Sequence, residues 1–151
     1  MNAVAAAGAG FLLAVLWFDL MFDVQTRRHD GDTLPSDVLT SIAAYYRRVT
    51  TDANPMGRLV GVVMLLTLLA IGAEIVEGTY PWWIAAPSLA AAASAISLAL
   101  ARTMRNAVRL GTATDPPDVQ TRRARAIYRD HLFCLAAMTL VAGLQLAARF
   151  G

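Results

Sequence analysis

The chain has 151 residues, of which 57% are hydrophobic, and its 13 basic and 11 acidic residues leave a formal net charge of +2. The apolar fraction exceeds the roughly 45–50% of ordinary soluble domains and lies in long runs, which disfavours a soluble enzyme or a nucleic-acid-binding protein. The single Cys134 excludes a disulfide within the chain.

Four apolar runs divide the sequence, and each is close to the length that a helix needs to cross about 30 Å of hydrocarbon. Backbone polar groups inside a bilayer must be hydrogen-bonded within the chain, so we expect these runs to be helices. The sequence therefore predicts an all-α polytopic membrane protein, a bundle of four transmembrane helices in a single domain of residues 1–151. The predicted spans are about 3–23, 56–77, 82–104 and 128–149.

The connection between the first two spans contains a short helical pattern. Pro35-Ser36-Asp37 is typical of a helix start, with Ser36 as the cap. Apolar side chains then recur at helical spacing: Val38, Leu39, Ile42, Tyr45, Tyr46 and Val49. We interpret 36–49 as an amphipathic helix that lies on the cytoplasmic leaflet. The alternative is a cap over the helix bundle.

The distribution of arginine indicates the orientation in the membrane. The first and third connections are rich in arginine, whereas the second connection, from Glu77 to Pro81, has no basic residue. The positive-inside rule places the arginine-rich connections in the cytoplasm. We therefore expect a multi-pass protein of the inner cell membrane, with both termini on the non-cytoplasmic side and the lipid bilayer as its partner.

Small residues recur every four positions on two of the predicted spans. They are Ala6, Gly10 and Ala14 on the first span, and Ala86, Ala90 and Ser94 on the third. Such faces let helices approach closely, either inside the bundle or with another chain. The pattern therefore leaves open a homo-oligomer or a larger membrane complex, in which the protein would be a non-catalytic structural or accessory subunit.

Polar residues from all four spans converge at the cytoplasmic level, and this convergence is the main functional signal in the sequence. Asp19 and Asp23 lie one turn apart on the first helix, where ionisable residues are costly and mark functional sites. The other members of the cluster are Arg58, Arg102, Arg105, Asn106, Asp130 and His131.

Two interpretations of this cluster stay open. In the first, the aspartates neutralise the arginines in an ion-pair network. In the second, His131 is an acid–base catalyst that Asp19 or Asp23 orients. The substrate would then be held by the remaining members, Arg58, Arg102, Arg105, Asn106 and Asp130.

A metal site is a further alternative, with Asp19, Asp23 and His131 as ligands. However, the sequence has no Glu-x-x-His repeat of the di-iron type and no spaced Cys/His motif, so we expect no cofactor. Glu74, near the outer end of the second span, is a candidate cation or proton site, but side chains so close to the interface are usually solvated, and we expect Glu74 to be solvated. A proton or cation pathway is poorly supported, because the first three helices have no ionisable residue midway between Glu74 and Asp19.

Several motifs occur in a suggestive order along the chain: AGAGFLLAVLWF in the first helix, Asn54-Pro55, Arg105-Asn106 and Arg129-x-His131. This order, over nearly the whole chain, resembles the anthrone-oxygenase-like family of small four-helix membrane proteins. The resemblance implies a membrane enzyme that oxidises an apolar aromatic small molecule, a polycyclic phenol, with O2 and without a metal or flavin. His131 would handle the proton, with Arg105, Asn106 and Asn54 near the substrate. The Asp19/Asp23 pair and Asp130 depart from the family pattern.

Overall fold

The structure, a computed structural model, describes the backbone of residues 2–150 and the side chains of 3–53 and 55–148. Within these residues the chain contains no strand, and its α-helices are α1 (Asn2–Asp23), α2 (Ser36–Arg47), α3 (Asn54–Val76), α4 (Trp82–Leu98), α5 (Met104–Thr112) and α6 (Pro117–Phe150). Four helical stretches of the described chain are long and apolar enough to cross a membrane: Ala3–Arg28, Pro55–Val76, Trp82–Thr112 and Pro117–Ala148. The predicted all-α class with four such helices is confirmed.

The four long helices form a ring in which each helix contacts two neighbours. α1 packs on α3 and α6, and α4 packs on the same two helices, so α1 and α4 lie diagonally opposite. Small and medium-sized side chains such as Ala9, Ile71 and Ala92 are buried at the centre. α1 and α3 approach each other closely at Gly8, where an added Cβ would collide with Thr67 Oγ1.

Two of the helices extend beyond the predicted spans at the arginine-rich end. α6 begins at Pro117 rather than near residue 128, and α4 continues through the π-helical turn Ala99–Thr103 into α5. At 1.5 Å per residue the 34 residues of α6 reach about 50 Å, well beyond about 30 Å of hydrocarbon. The difference arises because hydropathy marks only the apolar part of a helix, whereas proline favours a helix start at 117.

α2 packs on this extension of the bundle. Its residues Val38, Ile42 and Tyr46 are buried in one cluster with Leu110 of α5 and Ile127 of α6. The apolar face of α2 is therefore buried against α5 and α6. This corrects the prediction that the face lies on the leaflet. These contacts agree with the alternative interpretation, in which α2 is a cap over the bundle. Hydropathy alone does not reveal the apolar surface under α2, because the extended ends of α5 and α6 form it together.

The contact between α2 and α5 depends on Gly111. A Cβ at this position would lie 2.8 Å from Arg47 N and 3.1 Å from the Tyr46 carbonyl carbon, and these backbone atoms cannot rotate away. We expect Gly111→Ala to lower the free energy of unfolding by about 1–3 kcal/mol, the usual cost of overpacking. The control Gly72→Ala, whose Cβ would meet no atom within 4 Å, should be neutral or stabilising. Denaturant unfolding in detergent, followed by circular dichroism, measures both; equal stabilities would contradict the close contact.

Candidate functional site

Three helices bring five polar side chains together beside the centre of the bundle. Asp19 and Asp23 lie on one face of α1, His131 of α6 contacts both, and Tyr45 and Tyr46 reach them from α2. The sequence predicted the first three as catalytic residues, and the structure places these three in one cluster. Because Asp23 is fully buried and His131 is only 7% exposed, water has little access to their interaction.

The His131 ring is held at one nitrogen and open at the other. Nδ1 lies 2.7 Å from Asp23 Oδ2, and we assign the tautomer in which Nδ1 carries the hydrogen and donates it to this oxygen. Nε2 lies 3.8 Å from Asp19 Oδ2, which is too long for a direct hydrogen bond. In the neutral ring Nε2 keeps its lone pair, as in enzymes where a buried carboxylate orients a histidine base.

Two tyrosines fix the positions of the two carboxylates. The Tyr46 hydroxyl donates to Asp23 Oδ1 at 2.6 Å, and the Tyr45 hydroxyl donates to Asp19 Oδ1 at 2.7 Å. Phe22 stacks on Tyr45 with the ring centroids 4.0 Å apart. Burial, and then the charge of the aspartate that it contacts, raises the pKa of each phenol well above its usual range. Both phenols therefore stay protonated and continue to donate at physiological pH.

A cavity of about 400 Å³ extends from this cluster into the bundle. The volume suits a small molecule, since such sites span roughly 300–1,000 Å³ and are mostly apolar with a few polar groups. Its polar lining residues are Asp19, Tyr45, Tyr46, Thr50, Thr103 and His131. Its apolar wall includes Leu12, Leu16, Val60, Met64, Cys134 and Met138. The polar groups thus lie at the arginine-rich end, and the apolar wall continues toward the middle of the helices.

Two π-helical turns border the cavity. Arg48–Asp52 follows α2 and contributes Thr50, and Ala99–Thr103 follows α4 and contributes Thr103. Such turns are rare and are frequently found at functional sites. Both irregular turns therefore coincide with the wall of the cavity, which supports a functional rather than a purely structural role for it.

Arg102 and Asp130, which the sequence predicted to bind substrate, pair with each other. Asp130 is only 1% exposed, and it accepts hydrogen bonds from Arg102 Nε at 3.0 Å and from Thr103 Oγ1 at 3.0 Å. Neither member of the pair lines the cavity. The ion-pair interpretation therefore describes this pair, whereas Asp19 and Asp23 pair with no arginine among the described side chains.

The other predicted substrate-binding residues whose side chains the structure describes do not line the cavity either. Arg58 and Arg105 are exposed, and Asn106 accepts a hydrogen bond from Arg123 Nη1 at 2.9 Å. The side chain of Asn54 lies outside the described residues. Long guanidinium side chains extend toward water. They therefore point away from an apolar cavity, even where their backbone lies beside it. The position of these residues along the helix axis follows from the sequence, but the direction of their side chains does not.

The cluster does not have the geometry of a metal site. No group of three or more His, Cys, Asp or Glu side chains in the described part of the chain is arranged to hold a metal ion. Asp23 already uses one carboxylate oxygen for His131 and the other for Tyr46. The metal alternative built on Asp19, Asp23 and His131 therefore finds no support in the arrangement of these donors.

Tyr45, Tyr46 and Phe22 also belong to the site, although none of them was predicted from the sequence as a site residue. The spacing of the two tyrosines marks them as part of the apolar face of a helix, and this interpretation ignores their hydroxyl groups. A usable signal exists, because a buried tyrosine hydroxyl usually needs a hydrogen-bond partner. Two adjacent tyrosines on one apolar face therefore predict two acceptors nearby, and the carboxylates of α1 provide them.

Comparisons with models of known protein families, with curated proteins and with solved structures gave no match. The fold and the site define the class of this protein. It is an all-helical protein with four helices of membrane-spanning length and apolarity in its described part. Between them lies a cavity lined at one end by His131, which pairs with the buried Asp23.

Proposed function

We propose that the four long helices cross a membrane and that the cavity between them binds an apolar aromatic small molecule. The outward side chains support the first part: Trp17, Leu65 and Leu69 are each more than half exposed, as lipid-facing residues would be. The arginine-rich end faces the cytoplasm by the positive-inside rule, with both termini on the other side of the inner cell membrane. Trp82 and Trp83 suit the opposite interface.

The observation that carries the binding proposal is the combination of an apolar cavity with one open nitrogen at its polar end. The wall of the cavity excludes a charged or strongly hydrated ligand, because it offers few polar partners. The gap between His131 Nε2 and Asp19 Oδ2 can receive one polar group of the ligand. A flat, largely apolar molecule with a hydroxyl or keto group matches both features.

Proton transfer is the chemistry that this geometry supports best. A ligand hydroxyl or an acidic C–H beside His131 Nε2 would give its proton to that nitrogen. Asp23, 2.7 Å from Nδ1, would stabilise the resulting imidazolium. Asp19, held by Tyr45, keeps Oδ2 directed to the same gap and would accept a hydrogen bond from the ligand.

The resemblance to the anthrone-oxygenase-like family adds an oxidation step to the proposal. Loss of a proton from an activated methylene leaves a carbanion, and O2 is the oxidant that accepts its electrons. The methylene loses two hydrogens and gains one oxygen as a carbonyl, and the second oxygen atom leaves as water. The protein would act as a membrane-bound oxygenase in which His131 takes the first proton.

Binding of anthrone, a three-ring ketone with an acidic methylene, tests this proposal in nanodiscs. Gly61 lines the cavity, and a Cβ there would meet no atom within 4 Å, so Gly61→Leu should fill the space that a ligand needs. We expect the Kd for anthrone to rise at least about tenfold, a loss of about 1.4 kcal/mol.

Gly72→Leu is the matched control for this experiment. Gly72 lies on the same helix and has the same open space at its Cβ position, but it does not line the cavity. This variant should bind anthrone like the unmodified protein. Equal weakening in both variants would place the ligand outside the cavity, and no binding to the unmodified protein would remove the aromatic-ligand proposal.

A second candidate function is that of a non-catalytic subunit in a membrane assembly. Gly10 and Ala14 of α1 and Ala90 and Ser94 of α4 are exposed, so these small-residue faces are not used inside the bundle. Small exposed faces favour close packing with another helix in a bilayer. Gly10→Ile should then release a partner or a second copy on mild solubilisation, which the mass of the detergent-solubilised protein would show. A monomer before and after the substitution would contradict this candidate.

A further inference from the structure

A second buried polar site lies at the opposite end of the bundle from His131. It consists of Glu74 near the end of α3 and Gln145 of α6. The expectation that Glu74 is solvated is wrong, because Glu74 is 0% exposed and Gln145 is 2% exposed. The pair joins two helices that lie diagonally across the ring, so the side chains meet in its interior rather than at its surface.

The hydrogen bonds of this pair are incomplete when Glu74 is drawn as a carboxylate. Gln145 Nε2 donates to Glu74 Oε2 at 2.9 Å. The remaining oxygens, Glu74 Oε1 and Gln145 Oε1, accept a hydrogen bond from no residue that the structure describes. Two buried acceptors without a donor are unfavourable, and a buried carboxylate that has one neutral donor is more unfavourable still.

No charge among the described residues compensates for the burial of Glu74. Glu77, at the end of the same helix, is exposed and is itself an acid. No salt bridge joins Glu74 to a described side chain of α1, α4 or α6. A paired cation is therefore not what satisfies the carboxyl group within the described residues.

We propose that Glu74 is a proton-binding site and that it is neutral in the folded protein. A hydrogen on Glu74 Oε1 supplies the missing donor, and the amide oxygen of Gln145 is its acceptor. The acid and the amide then form a closed ring of two hydrogen bonds, in which each side chain donates once and accepts once. One proton thus satisfies both oxygens that are otherwise without a partner, and it removes the buried charge.

This site is independent of the chemistry proposed for the cavity. The site binds a proton, and the protonated pair links α3 to α6 by hydrogen bonds without placing a charge in the interior. Loss of the proton would leave a carboxylate in the bundle and would favour entry of water between the two helices. The pair would therefore respond to the pH at the end of the bundle where α3 ends, away from the Asp23–His131 pair.

Infrared spectroscopy with ¹³C-labelled glutamate tests the proposal directly, because the chain has only two glutamates, Glu74 and Glu77. In the Glu77→Gln protein, reconstituted in lipid at neutral pH, we expect a carboxylic acid C=O band that shifts on labelling. The same band should be absent from Glu74→Gln, in which only the exposed Glu77 remains. Carboxylate bands alone in the Glu77→Gln protein would overturn the proposal, whatever cation accompanies them.

A second variant tests the role of Gln145. Gln145→Met keeps a side chain of similar length but removes both the amide donor and the amide acceptor. The carboxylic acid band should then move to higher frequency, as expected when both hydrogen bonds between the acid and the amide are lost. An unchanged band in a folded Gln145→Met protein would show that Gln145 is not the acceptor, and it would overturn the paired arrangement.

Discussion

Asp23→Ala is expected to lower the free energy of unfolding by about 2–5 kcal/mol, because two buried hydrogen-bond donors lose their acceptor. Asp23 is fully buried and accepts hydrogen bonds from His131 Nδ1 at 2.7 Å and from Tyr46 at 2.6 Å. The substitution leaves two buried donors without an acceptor and opens a cavity between α1, α2 and α6. Unfolding by denaturant in mild detergent, followed by circular dichroism, measures the change.

Two controls separate the buried interaction from general effects of the substitution. Tyr46→Phe removes only one donor, so we expect a smaller loss of about 1–2 kcal/mol. Asp37→Ala removes an exposed carboxylate from the first turn of α2 and should change stability by no more than about 0.5 kcal/mol. If Asp23→Ala were no more destabilising than Asp37→Ala, the contacts that define the site would be incorrect.

His131→Gln is expected to slow proton exchange at the methylene of bound anthrone by about 10²–10⁴-fold, the usual contribution of a positioned acid–base group. Glutamine keeps a side chain that can donate to Asp23 but has no basic nitrogen in the place of Nε2. Exchange with D2O, followed by NMR on the nanodisc protein under nitrogen, isolates the proton transfer from any reaction with O2. This prediction depends on the proposed function of the cavity.

His29→Gln is the matched control, because His29 is the other histidine of the chain and does not line the cavity. Its exchange rate should equal that of the unmodified protein. Binding of anthrone is measured for each variant, so a loss of affinity is separated from a loss of proton transfer. Anthrone binding in the cavity without any difference in exchange between His131→Gln and His29→Gln would leave a binding protein and remove the catalytic role of His131.

Part of the site follows from helical periodicity alone. Asp19 and Asp23 are four residues apart, and this spacing places both carboxylates on one face of any helix that contains them. His131 lies near the start of the last apolar run, at the same level as the end of the first. The position of a residue along the helix axis can therefore be read from the sequence, because it is measured from the ends of the apolar run that contains the residue.

Directions around the helix axes could not be read in the same way. Arg58, Arg102 and Arg105 lie at the level of the cavity, but their side chains do not line it. Tyr45 and Tyr46 supply the hydrogen bonds that hold the two aspartates, although the sequence placed them in a connection. The hydropathy pattern predicts neither the direction of these arginines nor the contacts of the tyrosines. The tyrosines reach α1 because α2 packs on α5 and α6.

Three features could be read from the sequence alone: the all-α class, the number of span-length helices and the meeting of Asp19, Asp23 and His131 at one end. These features depend on local periodicity and on the length of apolar runs, which neighbouring residues encode. Three others appear only in the folded chain, where α2 caps the bundle, Asp130 pairs with Arg102 and Glu74 is buried against Gln145. Those features depend on which helix faces which, and that is set by packing between residues far apart in the chain.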